Sequence, residues 1–431
     1  MGLNGSPIGD NGRFAELPTP FVSESVVTPV PVAVATAMTP TERRASASLA
    51  SIFALRMLGL FLVLPVFALE ARKYPGGDDP ALLGLAMGIY GLTQGLLQLP
   101  FGMASDRLGR KRVIVLGLLI FAAGSFWAAA ATDLHGLLIG RSLQGAGAVS
   151  AAVTALLADL TRDEVRTKAM ALVGASIGLM FAVSLVLAPV LAAAVGLAGL
   201  FGLTGALALL GVLVVVWGVP AAPAMQAGAP RGRLADVLRH AGLMRMNFGV
   251  FVLHAVQLAM WVAVPALLVQ AGLPKDQHWQ VYLPAVLGSF VLMGGMFALE
   301  RRGHLKKVFL AAILLIALVQ LGLLVVSFGL PTLAQLAGLL FAFFCGFNVL
   351  EATQPSLVSR LAPMQVRGTA MGVYNTLQSL GFFVGGWAGG ALVKGWGSQM
   401  LFLCCAAAML LWWLVAWPMQ APGRHAPAKA A

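Results

Sequence analysis

Twelve stretches of mostly apolar residues, separated by short polar interruptions, run along the chain at about 48–70, 80–104, 113–132, 135–158, 168–194, 197–218, 245–271, 279–299, 307–328, 332–355, 369–393 and 399–418. A helix needs about 20 such residues to cross the hydrocarbon core of a bilayer. The pattern therefore predicts an all-α membrane protein with 12 transmembrane helices. The longest interior polar stretch, 220–245, separates six spans from six. This gives an N-terminal tail (1–46), a six-helix bundle (47–219), a cytoplasmic linker (220–244), a second six-helix bundle (245–418) and a C-terminal tail (419–431). The tail before residue 46 is rich in Pro, Ser, Thr and Val without helical periodicity and is expected to be disordered; Pro29 and Pro31 break its apolar run.

Charge placement adds orientation. Of 28 Lys and Arg, twenty-two fall in the two tails and the even-numbered loops, four (Arg72, Lys73, Lys275 and Lys394) fall on the other side, and two (Arg56 and Arg141) lie inside spans. Basic residues beside spans mark the cytoplasmic face, so both termini are expected there. The same distribution explains the net charge of +12 without nucleic acid as a partner. Cys345, Cys404 and Cys405 sit in apolar stretches with neither disulfide nor zinc spacing. No metal site, cofactor, nucleophile elbow or phosphate loop is expected, and enzyme activity with them.

The two halves repeat one another. "GMASDRLGRKR" (102–112) has a degraded copy, "MFALERRGHLK" (296–306), and "VRTKAMA" (165–171) recurs as "VRGTAMG" (366–372). Duplicated six-helix units imply two bundles around a substrate site near the midplane. In a chain that avoids charge, an acid inside a basic hinge also asks for a role beyond topology. Asp106 is suited to rest on the positive end of the helix entering at Gly368 in the other half, worth about 0.3–1 kcal/mol. Gly102 and Gly109 permit close backbone approach, Arg110 and Asp159 complete a cluster, and Arg107, Lys111 and Arg112 are candidates to anchor the loop at anionic headgroups. In the copy Met296 and His304 replace the first glycine and Arg110, which predicts a weaker second lock.

"GMASDRLGRKR" resembles the loop motif between the second and third helices of the major facilitator superfamily, and "LLIGRSLQGAGA" (137–148) resembles its fourth-helix motif. The resemblance spans about 48–418. "LRMLGLFLVLP", "GIYGLTQGLLQLPFG", "RTKAM" and "FNVLEATQPSLVSR" look closest to its YajR-type proton-coupled drug-efflux group, although no counterpart of that group's C-terminal soluble domain is expected. The resemblance implies a switch role for Asp106, Arg110 and Asp159, and help in proton transfer from Arg141. It also meets a departure: Ala188 precedes Pro189 where antiporters of the superfamily often carry Gly.

Ionisable groups within spans are costly, roughly 2.5–3.5 kcal/mol on insertion scales, and mark cavities or partners. Arg56 lies about 12 Å inside the first span, and Glu351 at a similar depth in the tenth. A pair across the cavity, released when Glu351 is protonated, is the expectation; a permanently paired Glu is the alternative. His254 is a second proton candidate, or a hydrogen-bonded structural group. Arg141 either serves proton transfer or braces a carbonyl. Tyr90, Gln94, Gln144, Gln257, Trp261, Asn348, Tyr374 and Gln378 form polar stripes that line the predicted cavity or bridge neighbouring helices.

The resulting expectation is a monomeric secondary transporter of a bacterial inner membrane. It would export amphipathic small molecules in exchange for protons, with the bilayer as its other partner. Uptake of a polar metabolite and a non-transporting sensor of the same fold are the alternatives.

Overall fold

The computed structural model describes residues 37–221, 234–363 and 366–419. Most of both predicted tails and the middle of the linker lie outside the described residues, as do the side chains of Met296, Glu300 and Arg301 in the degraded hinge copy. The described chain is all-helical: α1 (Pro40–Glu70), α2 (Pro80–Leu108), α3 (Arg110–Ala130), α4 (Leu134–Ala146), α5 (Ser150–Asp159), α6 (Asp163–Leu213), α7 (Leu234–Arg239), α8 (Ala241–Gln270), α9 (Trp279–Leu299), α10 (Leu305–Val326), α11 (Leu333–Leu361) and α12 (Arg367–Ala416). Eight helical stretches are long and apolar enough to cross a membrane.

Three expectations are corrected. The first helix starts at Pro40, so residues 40–46 do not belong to a disordered tail: Thr39 caps it, and Glu42 at the third position bonds back to the Thr39 amide. This capping box was written in the sequence as Thr-Pro-Thr-Glu. Glu42 also receives two bonds from the Arg162 guanidinium (2.8 and 3.0 Å), tying the entry of α1 to that of α6. The linker ends earlier than expected, since α8 begins at Ala241 with His240 as its cap. The span expected at 135–158 is two helices, α4 and α5, interrupted at Gly147–Val149. There the backbone presses against α3, and a Cβ on Gly147 would collide with the Gly117 carbonyl.

The two longest helices, of 51 and 50 residues, are each broken by one glycine, Gly196 (φ 66°) and Gly397 (φ 80°). These positions are 201 residues apart, the offset of the VRTKAMA repeat. Positive φ also pairs Gly109 (96°) with Gly303 (94°), at the offset of the charged hinge, and Gly76 (88°) with Gly272 (87°). Left-handed backbone that only glycine adopts cheaply thus recurs at matching places in both halves.

The helix ends at Glu70, Pro80 and Gln270 are drawn together. α2 meets α12 backbone to backbone: a Cβ built at Gly84 would strike the Gly386 carbonyl oxygen, and one at Gly386 would stand 2.6 Å from the Gly84 carbonyl oxygen. Gly381 and Gly385, on the neighbouring face of α12, pack in the same way on Phe251 and Ala255 of α8. Farther along α2 the fit relaxes. A Cβ at Gly95 would be 3.4 Å from Leu380 and Thr376, and one at Gly102 would meet only Ala151 of α5. Three ion pairs clasp the tight end: Asp79 with Lys394 (2.7 Å), and Glu70 with both Lys73 (2.5 Å) and Lys275. Lys394 and the amides of Ala81 and Leu82 hold the Asp79 carboxyl below its usual range. His278, whose side chain is buried, lines a small cavity with Glu70, Lys275 and Pro189, and burial pushes its imidazole down to about 4.

Two outcomes follow for this closed end. Gly84→Leu overpacks the α2 to α12 contact at about 1–3 kcal/mol, a roughly tenfold to hundredfold shift toward the open arrangement. Electron-spin distances between labels at Asp78 and Trp396, in a cysteine-free background, read that shift as a longer separation. His278 titrates near 6.5 when exposed and near 4 in the closed end. Its contribution is complete above pH 6.5 and is lost progressively as pH falls toward 4. Acidification from pH 7.5 to 5.5 therefore weakens closure roughly tenfold on the same label pair, and His278→Gln flattens that response.

Candidate functional site

Two clusters of charged and polar side chains lie inside the helical body, one in each half. In the first, Arg56 of α1 is buried and donates from Nη2 to the Tyr90 hydroxyl (2.7 Å) and from Nη1 to the Ser150 hydroxyl (3.0 Å); its guanidinium lies 5.5 Å from the Phe121 ring centre. Arg141 of α4 is buried too. It donates to Gln144 Oε1 (3.0 Å) and to the Met87 carbonyl (3.2 Å), and stands over the Tyr90 ring at 5.0 Å. Gln144 passes the network on to Ser125 of α3 (2.8 Å). Tyr90 thus serves both arginines, one through its hydroxyl and one through its ring face, which attracts cations. Both charges are solvated by neutral dipoles.

The second cluster holds an acid and a base. His254 of α8, 2% exposed by side chain, faces Glu351 of α11 with Nε2 3.2 Å from Oε2. Gln378 of α12 places its amide nitrogen 2.8 Å from the same ring nitrogen and 3.4 Å from Glu351 Oε1. His254 Nδ1 lies 2.9 Å from the Val250 carbonyl. The rings of Phe382 and Phe347 stand edge-on to the imidazole at 4.9 and 6.0 Å. The Tyr374 hydroxyl is buried without a hydrogen-bond partner and lies within electrostatic reach of Glu351. Glu351 bonds inward to α8 and α12, yet its side chain is 39% exposed.

The structure overturns one expected pairing. Arg56 does not meet Glu351; it is engaged by Tyr90 and Ser150 of its own half, and Glu351 is engaged by His254. The two proton candidates treated separately in sequence are one contact. The polar stripes also divide. Tyr90, Gln144, Tyr374 and Gln378 belong to the clusters, and Gln94 is half-buried on α2. Asn348 turns to Ser289 of α9 (2.8 Å), a bridge between neighbouring helices. Trp261 packs edge-on against Tyr282 (5.3 Å) and, with Gln257, Met260, Phe343 and Phe344, lines a small apolar cavity. The Gln257 carbonyl oxygen is buried there without a partner.

Sequence reasoning missed the aromatic bridge between the halves, in which Phe181 of α6 meets Phe61 of α1 at 5.0 Å and Phe344 of α11 at 6.0 Å. It also missed the clasp made by Glu70, Asp79, Lys275 and Lys394. A signal for the clasp existed, because three of the four basic residues on that side lie near acids in the helix-end loops or on the facing half. For the phenylalanines there was none, since 23 of them are scattered through apolar spans.

At the opposite ends of the helices, Arg110 gathers the charged hinge. It pairs with Asp106 (2.5 Å) and Asp159 (3.0 Å) and donates to Ser105 (2.8 Å). Arg107 and Arg112 are exposed, whereas Lys111 donates to the Val219 carbonyl (2.5 Å) at the end of the long α6 segment instead of reaching outward. Gly368 is exposed, with open space where a side chain would stand.

Residues 49–386 match the family model of the Major Facilitator Superfamily. The chain is 42% identical over 391 residues to the inner membrane transport protein YajR of Escherichia coli K12, covering 89% of this chain and 85% of that protein. It is 27% identical over 348 residues to the quinolone resistance protein NorA of Staphylococcus aureus, covering 78% of this chain and 86% of NorA. Its backbone is similar to the crystal structure of the human organic anion transporter MFSD10, with a TM-score of 0.65 at 20% identity, covering 88% of this chain and all of that one. The helical membrane architecture, the two hinge motifs and these matches agree: the chain belongs to the major facilitator superfamily, a family of membrane transporters and not of enzymes.

Proposed function

We propose that the protein is a proton-coupled exporter of amphipathic small molecules that works by alternating access across a bacterial inner membrane. In this reading twelve crossings come from the eight apolar stretches, two of which fold at Gly196 and Gly397 to cross twice, together with α9 and the broken α4 to α5 segment. The basic tails and loops then lie in the cytoplasm. The bundles are 47–219 and 245–418, joined by the 220–244 linker.

The observation that carries the proposal is the contact between His254, Glu351 and Gln378. An acid and a base in contact within the helical body, with the acid partly exposed and the base walled by phenylalanine rings, are the equipment for moving a proton beside an apolar substrate. The clasped end at Glu70 and Asp79 is then the periplasmic gate, and the conformation is the one facing the cytoplasm. The hinge around Asp106, Arg107, Gly109, Arg110, Lys111 and Asp159 acts as the cytoplasmic lock in the opposite state, seated on the helix that begins at Arg367. NorA is a quinolone resistance protein by name, which makes quinolones the first substrates to try.

The test is flux in proteoliposomes with an imposed pH gradient and a quinolone among a panel of amphipathic compounds. The wild-type protein accumulates substrate against its gradient on the side acidic in protons. Glu351→Gln lowers that accumulation at least about tenfold while leaving substrate exchange at equal pH in place. Retained accumulation in Glu351→Gln removes Glu351 from coupling; movement only in the direction of the protons identifies uptake, and no flux with any compound identifies a sensor.

A further inference from the structure

We propose that His254 and Glu351 hold one proton between them in this conformation, so that the pair, and not either residue alone, is the proton-carrying unit. The inference rests on the transporter reading for its use, but its chemistry is independent of it. His254 Nδ1 faces the Val250 carbonyl at 2.9 Å. A carbonyl only accepts, so Nδ1 carries a hydrogen. In a neutral imidazole Nε2 is then a bare lone pair, and it stands 3.2 Å from Glu351 Oε2.

If Glu351 were also ionised, two acceptors would face each other beside a buried ring, with nothing between them. One proton removes the conflict: on Oε2 the carboxyl donates to Nε2, and on Nε2 the imidazolium donates to the carboxylate. Gln378 does not change the count. With its amide nitrogen toward Nε2 at 2.8 Å it can satisfy that lone pair, yet the carboxylate oxygen remains against the ring nitrogen. With the amide turned over, its oxygen requires a hydrogen on Nε2, and the imidazole is charged.

The groups facing the pair leave it no other source of charge. α8 contributes the imidazole, α11 the carboxylate, and α12 Gln378 and the Tyr374 hydroxyl, while Phe347 and Phe382 close the sides. Arg56 is held by Tyr90 and Ser150. Among the described residues neither member of the pair meets a lysine, arginine or aspartate. The conformation clasped at Glu70 and Asp79 is therefore the loaded one, with the proton at the buried Oε2 end of Glu351, and its departure leaves the pair with a net negative charge.

Nitrogen-15 NMR of labelled histidine in the purified full chain tests this, with the His254 signal assigned by its loss in His254→Gln. If the pair shares a proton, Glu351→Gln moves the His254 titration down by at least about one pH unit, and Glu351→Asp restores most of the shift. A midpoint unmoved by Glu351→Gln overturns the proposal. The wild-type spectrum is a second measurement, useful if that variant does not fold. Wild-type His254 that titrates below the ordinary histidine range, with Glu351 ionised in infrared titration at neutral pH, also overturns it. Flux with a quinolone separates the two readings: a shifted midpoint without flux retains the shared proton and removes the exporter, while flux with an unshifted midpoint does the reverse.

Discussion

An ion inside a membrane protein must be solvated by the protein itself, and the interior of this chain is arranged around that demand. A charge buried among apolar side chains needs dipoles, a ring face or a counter-charge within reach. The first half answers with dipoles: Tyr90, Ser150, Gln144 and the Met87 carbonyl surround two guanidinium groups. The second half answers with an acid and a base in contact, His254 against Glu351. The two halves thus meet the same demand in chemically different ways: dipoles around two cations in one, an acid–base contact in the other.

Closure at one end follows a second economy. Asp79 with Lys394 is an exposed pair, of the kind that contributes about 0–1 kcal/mol, and Glu70 pairs from a buried position with a half-exposed Lys275. They choose which surfaces meet without locking them. The area of contact comes from glycines that let the α2 and α12 backbones touch, where close packing, not a hydrophobic effect, holds helices together in lipid. A gate made of weak ion pairs and small residues closes tightly and still opens at thermal cost, as an alternating cycle requires.

Much of the architecture was legible because membrane spans are long, and their composition repeats over some twenty residues. The breaks after residues 194 and 393, the hinge at Gly109 and its copy at Gly303 were all visible as punctuation between apolar runs. The helix start at Pro40 was visible too, but its Thr-Pro-Thr-Glu signal was masked by a proline-rich run before it. The site was legible only by residue type. Spacing along one helix places Arg56 and Glu351 at matching depths, yet depth does not fix azimuth, and it is azimuth that turned Arg56 toward Tyr90 and Glu351 toward His254. The interruption at Gly147 escaped notice because its cause is the α3 backbone, which lies far away in sequence.

The repeat clarifies what a duplicated chain must keep and what it can lose. Left-handed glycines survive in both halves at three corresponding places, since a helix reversal needs its backbone conformation regardless of neighbours. Charges do not survive in the same way. Arg141 has Ala342 at the 201 offset, and Glu351 has Ser150 there. That serine donor now helps solvate Arg56. One repeat position thus carries an acid in one half and a hydroxyl that solvates a cation in the other. Under the proposed proton coupling, two titrating sites would have to change state together to drive a single rocking motion, whereas one titrating site opposite a cation held by dipoles needs only its own proton. In that reading the divergence of these two positions lets similar bundles run an asymmetric cycle.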